Sequence, residues 1–118
     1  MMRGMSMRVE RETIHEGVRF DLERLRVVGS NGKEVVREVV RHPGAVVIVG
    51  LDGAGNVVLI RNERPAVGAT IWELPAGTLE PGEDPSVTAA RELVEETGYR
   101  PDRVEKLGEF FTTPGLTD

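Results

Sequence analysis

The chain has no cysteine and only two histidines, His15 and His42. Disulfides, thiolate zinc sites and cysteine nucleophiles are therefore excluded, and two histidines alone do not build a multi-histidine metal centre. Aromatic residues are 4% of the 118, so any core is built mainly from aliphatic side chains. Long apolar runs are also missing. The longest, residues 45–49, falls far short of the ~20 residues that span a bilayer. The opening MMRGMSM lacks the apolar core of a signal peptide and reads as a loose tail over residues 1–7. No basic block is present, and a net charge of −5 makes the chain a poor binder of nucleic acid or anionic membrane. A soluble cytoplasmic protein is the expectation.

The acidic excess that is present is local. Between Gly77 and Tyr99 stand six acids (Glu80, Glu83, Asp84, Glu92, Glu95, Glu96) and one base, Arg91, which together carry the whole net charge. Such a concentration points to a divalent-cation site or to a strongly solvated face. A chain of this size buries roughly two-thirds of its surface at best, so dimerisation would add stability.

Punctuation residues divide the chain. Residues 8–15 and 18–28 read as strands around a break at Glu16-Gly17. Gly29-Ser30-Asn31-Gly32 contains Asn-Gly, a hairpin signal because both residues tolerate positive φ, and 33–41 runs back as a strand. After His42-Pro43-Gly44, residues 45–51 form a nearly continuous apolar run, as in a strand buried on both faces. A turn at 52–56 leads to a short buried strand at 57–61. Residues 62–70 read as a loop, 71–74 as a short strand stopped by Pro75, 77–83 as a loop and 104–113 as a last strand. These elements predict a mixed or antiparallel sheet. One helix is clear: Asp84 suits the N-cap, Pro85 the first helical position and Gly98 the C-terminal stop.

At about 100° per residue, Val87, Ala90, Leu93 and Val94 form an apolar arc suited to packing on a sheet. Glu92, Glu95 and Glu96 gather on the other side, with Glu92 and Glu96 one turn apart and their Cβ atoms roughly 5–6 Å from each other. Like charges at that spacing repel, and carboxylates in the last turn oppose the helix dipole. A solvated acidic face remains one reading of this cluster. A hard cation held by glutamate oxygens beside a substrate phosphate is the other, with Glu83 and backbone carbonyls of the preceding glycine-rich loop within reach. Arg91 can orient these carboxylates through charge-assisted hydrogen bonds.

Gly77, Glu83 and the run Arg91-Glu92-Leu93-Val94-Glu95-Glu96-Thr97-Gly98-Tyr99 match every fixed position of G-x5-E-x7-R-E-U-x-E-E-x-G-U, where U is a bulky apolar residue and Tyr99 is the loose fit at the last U. The segment resembles the complete box of the Nudix hydrolase family. Arg41-His42-Pro43-Gly44-Ala45-Val46, Arg61-Asn62-Glu63-Arg64-Pro65, Trp72-Glu73-Leu74-Pro75-Ala76-Gly77 and the stretch from Phe110 to Asp118 resemble the ADP-ribose pyrophosphatase branch. The resemblance implies an α/β (α+β) fold, a Nudix-type α/β/α sandwich with a mixed sheet. Residues 8–41 would form an N-terminal strand and hairpin extension that dimerises, and 42–118 the Nudix domain.

It also implies Mg²⁺- or Mn²⁺-dependent hydrolysis of a small nucleoside diphosphate derivative by a homodimer. ADP-ribose would give AMP and ribose 5-phosphate; other nucleotide derivatives, or sensing of ADP-ribose without cleavage, are the alternatives. By the same resemblance, Glu92 and Glu96 would be the principal metal ligands, with Glu95 and the Ala76 carbonyl contributing. Glu83 would support the metal shell and Arg91 would orient carboxylates. Arg64 would pair with a substrate phosphate, and Glu73 would bind ribose or a metal-bound water. Phe20, Arg37 and Glu38 would help hold adenine or ribose across a dimer interface, although a packed aromatic and an exposed strand charge pair are the plainer readings. His42 reads as a loop residue and Trp72 as packing. Many relatives have Gln-Tyr where this chain has Asn62-Glu63, which would bring an extra acid near Arg64. The loop expected to carry a general base would follow Asp118, so the 118 residues read as a fragment of a longer chain with its C-terminal part missing.

Overall fold

Valine-rich, charge-alternating segments pair first with their sequence neighbours, because a short turn makes that pairing entropically cheap. The computed structural model describes residues 7–118; most of the expected loose tail lies outside the described residues. It divides into two units, one built on the residues up to His42 together with Glu109–Asp118, the other on Pro43–Gly108.

In the first unit, β1 (Arg8–Glu16), β2 (Asp21–Val28) and β3 (Glu34–Arg41) form an antiparallel sheet in the order β1-β2-β3. The β1–β2 register shifts between Thr13 and His15, a bulge that gives one strand an extra residue. The second strand starts at Asp21 rather than at residue 18, because 17–20 form the turn and the Gly17 N–H donates to Asp21 Oδ1. The Asn-Gly hairpin forms, with one difference in mechanism. Gly32 alone takes the left-handed conformation, at φ 73°, and no non-glycine described residue has positive φ. The Gly32 N–H donates to the Gly29 carbonyl and the Gly29 N–H to the Lys33 carbonyl, the pattern of a three-residue loop closed by a glycine bulge.

Cross-strand ion pairs line the sheet: Arg24 lies between Glu12 and Glu38, its partners in the register on either side. Residues 113–118 return to β3, where Val40 donates to the Leu116 carbonyl and Val40 pairs with Thr117 in a parallel bridge. Asp118 accepts from the His42 N–H and forms an ion pair with Arg41. The strand expected at 104–113 does not form. No other described strand offers that segment a ladder, and an unpaired strand leaves its backbone groups to water.

In the second unit, β4 (Ala45–Val47) pairs with β7 (Ala76–Thr78), and β5 (Ile60–Arg64) pairs with β6 (Ala69–Glu73), both antiparallel. A 3₁₀ turn, Pro65–Val67, closes the β5–β6 hairpin and ends at Gly68 with φ 63°. Residues expected as loop at 62–70 therefore belong largely to this hairpin. Pro65 marks its corner, because it cannot donate to a ladder. Within the expected loop 77–83, residues 77 and 78 belong to β7. The run 45–51 is a strand only to Val47, and its exposure alternates: Val47, Val49 and Leu51 face outward. It is covered on one face, because the one α-helix among the described residues packs on β4 and β7 from a single side.

That helix, α1 (Pro85–Thr97), has the expected ends. The Asp84 side chain accepts from the Ser86 N–H at 2.8 Å, Pro85 opens the first turn, and Gly98 at φ 77° returns its N–H to the Val94 carbonyl. Removing the cap in Asp84→Ala is expected to lower stability by ~1 kcal/mol, read from urea unfolding of both proteins. An unchanged midpoint would show that the Asp84 bond contributes nothing.

Candidate active site

Helix geometry sets which face of α1 meets the sheet, and the outcome differs from the apolar-arc expectation. Leu93 is buried, close to Gly50, but Val87 is 57% exposed and Val94 also faces outward. Thr88 is completely buried and the Glu92 side chain is 14% exposed. The helix is thus rotated so that part of its carboxylate face looks at β7. The reason is polar. The Ala76 N–H donates to Glu96 Oε2 at 3.2 Å, and Glu92 lies over Gly77, where a Cβ atom would stand 2.0 Å from its carboxyl carbon.

The strand register explains why Ala76 has an N–H to give. Ile48 donates to the Pro75 carbonyl and Leu79 to the Gly44 carbonyl. Antiparallel pairs alternate, so Val47 and Ala76 form a non-hydrogen-bonded pair. Both backbone polar groups of Ala76 consequently point away from β4. Its N–H meets Glu96, and its carbonyl is not used by the ladder. Two carboxylates one turn apart and a free strand carbonyl are oxygen donors suited to a hard divalent cation. In their present positions both carboxylates accept protein hydrogen bonds, and among the described residues no group of three acidic or histidine side chains is arranged to hold a metal ion. Glu95 is the more exposed, its side chain 58% accessible, and it shares the Arg91 NH1 group with Glu92.

Arg91 occupies the centre of a second cluster. Its Nε and NH2 groups donate to the two oxygens of Glu83 at 3.1 and 3.0 Å, and its NH1 group donates to Glu92 at 2.9 Å and Glu95 at 3.4 Å. A planar guanidinium thus holds three carboxylates in fixed relation. Glu83 also accepts from the buried Thr88 hydroxyl at 2.8 Å. The Arg91 bonds, then the Thr88 bond, hold the Glu83 carboxyl down from the ordinary 4.5 to about 2. The same pairing with Glu83 raises the Arg91 pKa.

A carboxylate whose folded pKa is depressed contributes stability above its unfolded value and loses it as pH falls through the folded one. The Glu83 contribution is therefore expected to be intact above about pH 4.5 and lost towards pH 2. Thr88→Val, which removes one of the bonds that depress the Glu83 carboxyl, should be less stable than wild type above about pH 4.5 and should lose less of its thermal stability between there and pH 2. Superimposable profiles would remove Thr88 from this network.

Arg64 lies on β5 and Glu73 on β6. Their side chains form a bidentate pair, Nε to Oε1 at 2.8 Å and NH2 to Oε2 at 2.7 Å, and Asn62 donates to Glu73 Oε2 at 3.1 Å. The Arg64 pair lowers the Glu73 pKa, and the Glu73 bond raises that of Arg64. The extra acid expected near Arg64 is not Glu63. Strand alternation sends Glu63 to the opposite face from Arg64, and the acid beside the arginine is Glu73. Trp72 is also not packed away: it is 66% exposed, and its cross-strand partner Arg61 stands 5.5 Å from the ring centroid, a cation–π contact.

Phe20, Arg37 and Glu38 belong to the first unit. Phe20 is in the turn before β2 and half exposed; Arg37 donates to the Val36 carbonyl; Glu38 pairs with Arg24 across the sheet. Arg37 and Glu38 thus do not form a charge pair with each other. Three residues of the second-unit networks, Thr88, Asn62 and Arg61, have no site role that the sequence assigns. Thr88 had a signal, since it continues the Glu92–Glu96 stripe one turn towards the helix start.

A capped helix with Glu92 and Glu96 turned onto the strand at Ala76 and Gly77 defines a carboxylate-rich helix–strand site. Residues 40–117 match the NUDIX domain family model, and the chain belongs to that family. It is 42% identical over 110 residues to an ADP-ribose pyrophosphatase of Bacillus subtilis, covering 93% of this chain and 60% of that protein. It is 44% identical over 111 residues to an ADP-ribose pyrophosphatase of Mycobacterium tuberculosis, covering 93% of this chain and 54% of the other. The crystal structure of an ADP compounds hydrolase superposes with a TM-score of 0.79 at 24% identity, over 99% of this chain and 63% of that one, a likeness of fold. The α+β class agrees with it. The chain spans roughly half to three-fifths of the length of these two pyrophosphatases. No helix among the described residues is long and apolar enough to cross a membrane.

Proposed function

We propose that this protein hydrolyses the pyrophosphate linkage of ADP-ribose or a related nucleoside diphosphate sugar, yielding AMP and ribose 5-phosphate from ADP-ribose, with Mg²⁺ or Mn²⁺. The observation that carries the reading is the meeting of the Glu92 and Glu96 carboxylates with the β7 backbone at Ala76 and Gly77. Glu92, Glu96 and the Ala76 carbonyl would hold the cation, with Glu95 at its outer edge. When bound, a divalent ion neutralises phosphate charge and lowers the pKa of water. The chain's own residues supply the rest. Glu83 and Arg91 fix the carboxylates in place. Arg64 presents positive charge to the phosphate oxygens, where charge accumulates during displacement. The kinship with two ADP-ribose pyrophosphatases supports the substrate class.

We assign the first-unit sheet to a homodimer interface, with Phe20, Arg37 and Glu38 as adenosine contacts. Exposed Val9 and Val35, which the register places on one face of the sheet, support this by offering apolar surface.

A second reading is a module that binds ADP-ribose without cleaving it. It is favoured by the hydrogen bonds that Glu92 and Glu96 already accept from Arg91 and Ala76. The test is AMP release from ADP-ribose with and without Mg²⁺, beside calorimetric binding of ADP-ribose. Metal-dependent AMP release supports the hydrolase. Binding without AMP supports the module, and neither signal from a folded protein overturns both.

A further inference from the structure

The β5–β6 hairpin carries a network that the metal-site reading leaves unused. Period-two alternation puts Asn62 and Arg64 of β5 on the same face as Glu73 of β6. Glu73 accepts three hydrogen bonds, two from Arg64 and one from Asn62, and its side chain is 19% exposed. A carboxylate has about four acceptor positions, so this one is nearly saturated by its own hairpin. Arg64 is the opposite case. It spends Nε–H and one NH2 proton on Glu73, which leaves three protons, two of them parallel along its NH1–NH2 edge. That edge is itself a fork of parallel donors, the shape that matches two oxygens of a phosphate. The negative charge of Glu96 reaches Arg64, so the guanidinium lies within electrostatic range of the helix carboxylates.

We propose that Glu73, braced by Asn62, is a positioning residue that holds the side of the Arg64 guanidinium and so presents its NH1–NH2 edge to a nucleoside diphosphate. This inference rests on the reading of Arg64 as the phosphate-binding residue. It gives Asn62, one of the two residues that depart from the resemblance, a part in the site. Removing the carboxylate that holds a guanidinium leaves a long side chain free to sample other rotamers, and binding must then fix it again.

Charge alone predicts the opposite sign. Glu73 is an anion beside a site for anions, so its neutralisation should tighten ADP binding if it acts only by Coulomb repulsion. If it positions Arg64, neutralisation should weaken binding. The experiment is calorimetric titration of the full chain with the non-hydrolysable analogue α,β-methylene-ADP in Mg²⁺, with thermal midpoints measured alongside. Arg64→Ala is expected to weaken binding about tenfold, and Glu73→Gln and the near-isosteric Asn62→Leu about three- to fivefold. On the Arg64→Ala background both further substitutions should have no effect, because a positioning residue acts only through the group it holds.

Unchanged or tighter binding by both Glu73→Gln and Asn62→Leu would overturn the inference while leaving the phosphate role of Arg64 intact. Equal weakening on the Arg64→Ala background would overturn it too, by assigning a general structural role. Wild-type affinity in Arg64→Ala would overturn the phosphate reading itself, and the inference with it.

Discussion

Glu96→Gln is expected to remove metal-dependent AMP release, by about 10²–10³-fold in kcat, while the protein stays folded. The substitution is nearly isosteric and keeps an oxygen that can accept the Ala76 N–H, which Glu96 Oε2 receives at 3.2 Å. The anchor on β7 is therefore preserved, and only the ligand charge is lost. Several kcal/mol of phosphate stabilisation depend on that charge if a divalent cation is held there, and each ~1.4 kcal/mol is tenfold in rate. The check is AMP release at saturating Mg²⁺ for both proteins, with the far-UV spectrum as a control for folding. Glu95→Gln should cost much less, because Glu95 stands in solvent at the edge of the cluster. A Glu96→Gln protein with wild-type turnover would mean that the carboxylate is not a ligand. Equal losses at Glu95 and Glu96 would mean that the Glu95 carboxylate serves the site as directly as that of Glu96.

The second large effect is expected at Gly77. An added methyl group would stand 2.0 Å from the carboxyl carbon of Glu92, 2.3 Å from its Cγ and 2.3 Å from Oε1. No carbon atom tolerates such a contact, so something must move. The obstacle is the end of a flexible side chain rather than backbone, and Gly77 has no positive φ that would strain an alanine. Gly77→Ala should accordingly keep the fold and displace Glu92 from β7, breaking its bond to Arg91 as well. We expect AMP release to fall about 10–100-fold, as for loss of support to a metal ligand, with a thermal midpoint within a few degrees of wild type. A matched pair of assays, turnover and melting, separates the outcomes. Loss of both together would show that the contact is structural, and loss of neither would place Glu92 elsewhere in solution.

Much of this arrangement can be traced in the sequence. Asp84, Pro85 and Gly98 carry their meaning within a few bonds: a short acceptor, a fixed φ and a missing Cβ act on the backbone next to them. Their helix appears with the expected ends. The Arg91 network was legible for a similar reason. Glu92 and Glu95 are its helical neighbours, and Glu83 lies on the turn that leads into the same helix. The failures have one common cause. By composition the run 45–51 reads as buried on both faces, the 104–113 segment as a strand, and Val87 and Val94 as core, because composition reports a preference for burial but not the partner that provides it. The rotation of α1 that exposes Val87 and buries Thr88 depends on Ala76 and Gly77, which are distant along the chain from most of the helix.

The sequence by itself determined the local events: the hairpin at Gly32, the caps of α1, the spacing that stacks Glu92 with Glu96, and the box that identifies the family. These depend on periodicity and on single-residue stereochemistry, which act at short range. Only the tertiary structure decided which face of α1 meets β7, that Ala76 turns its carbonyl away from the ladder, and that Arg64 closes on Glu73 rather than standing beside Glu63. Those outcomes follow from strand register. One residue of slip would exchange the faces of a strand, and no local property of Asn62, Glu63 or Ala76 states which register the chain will choose.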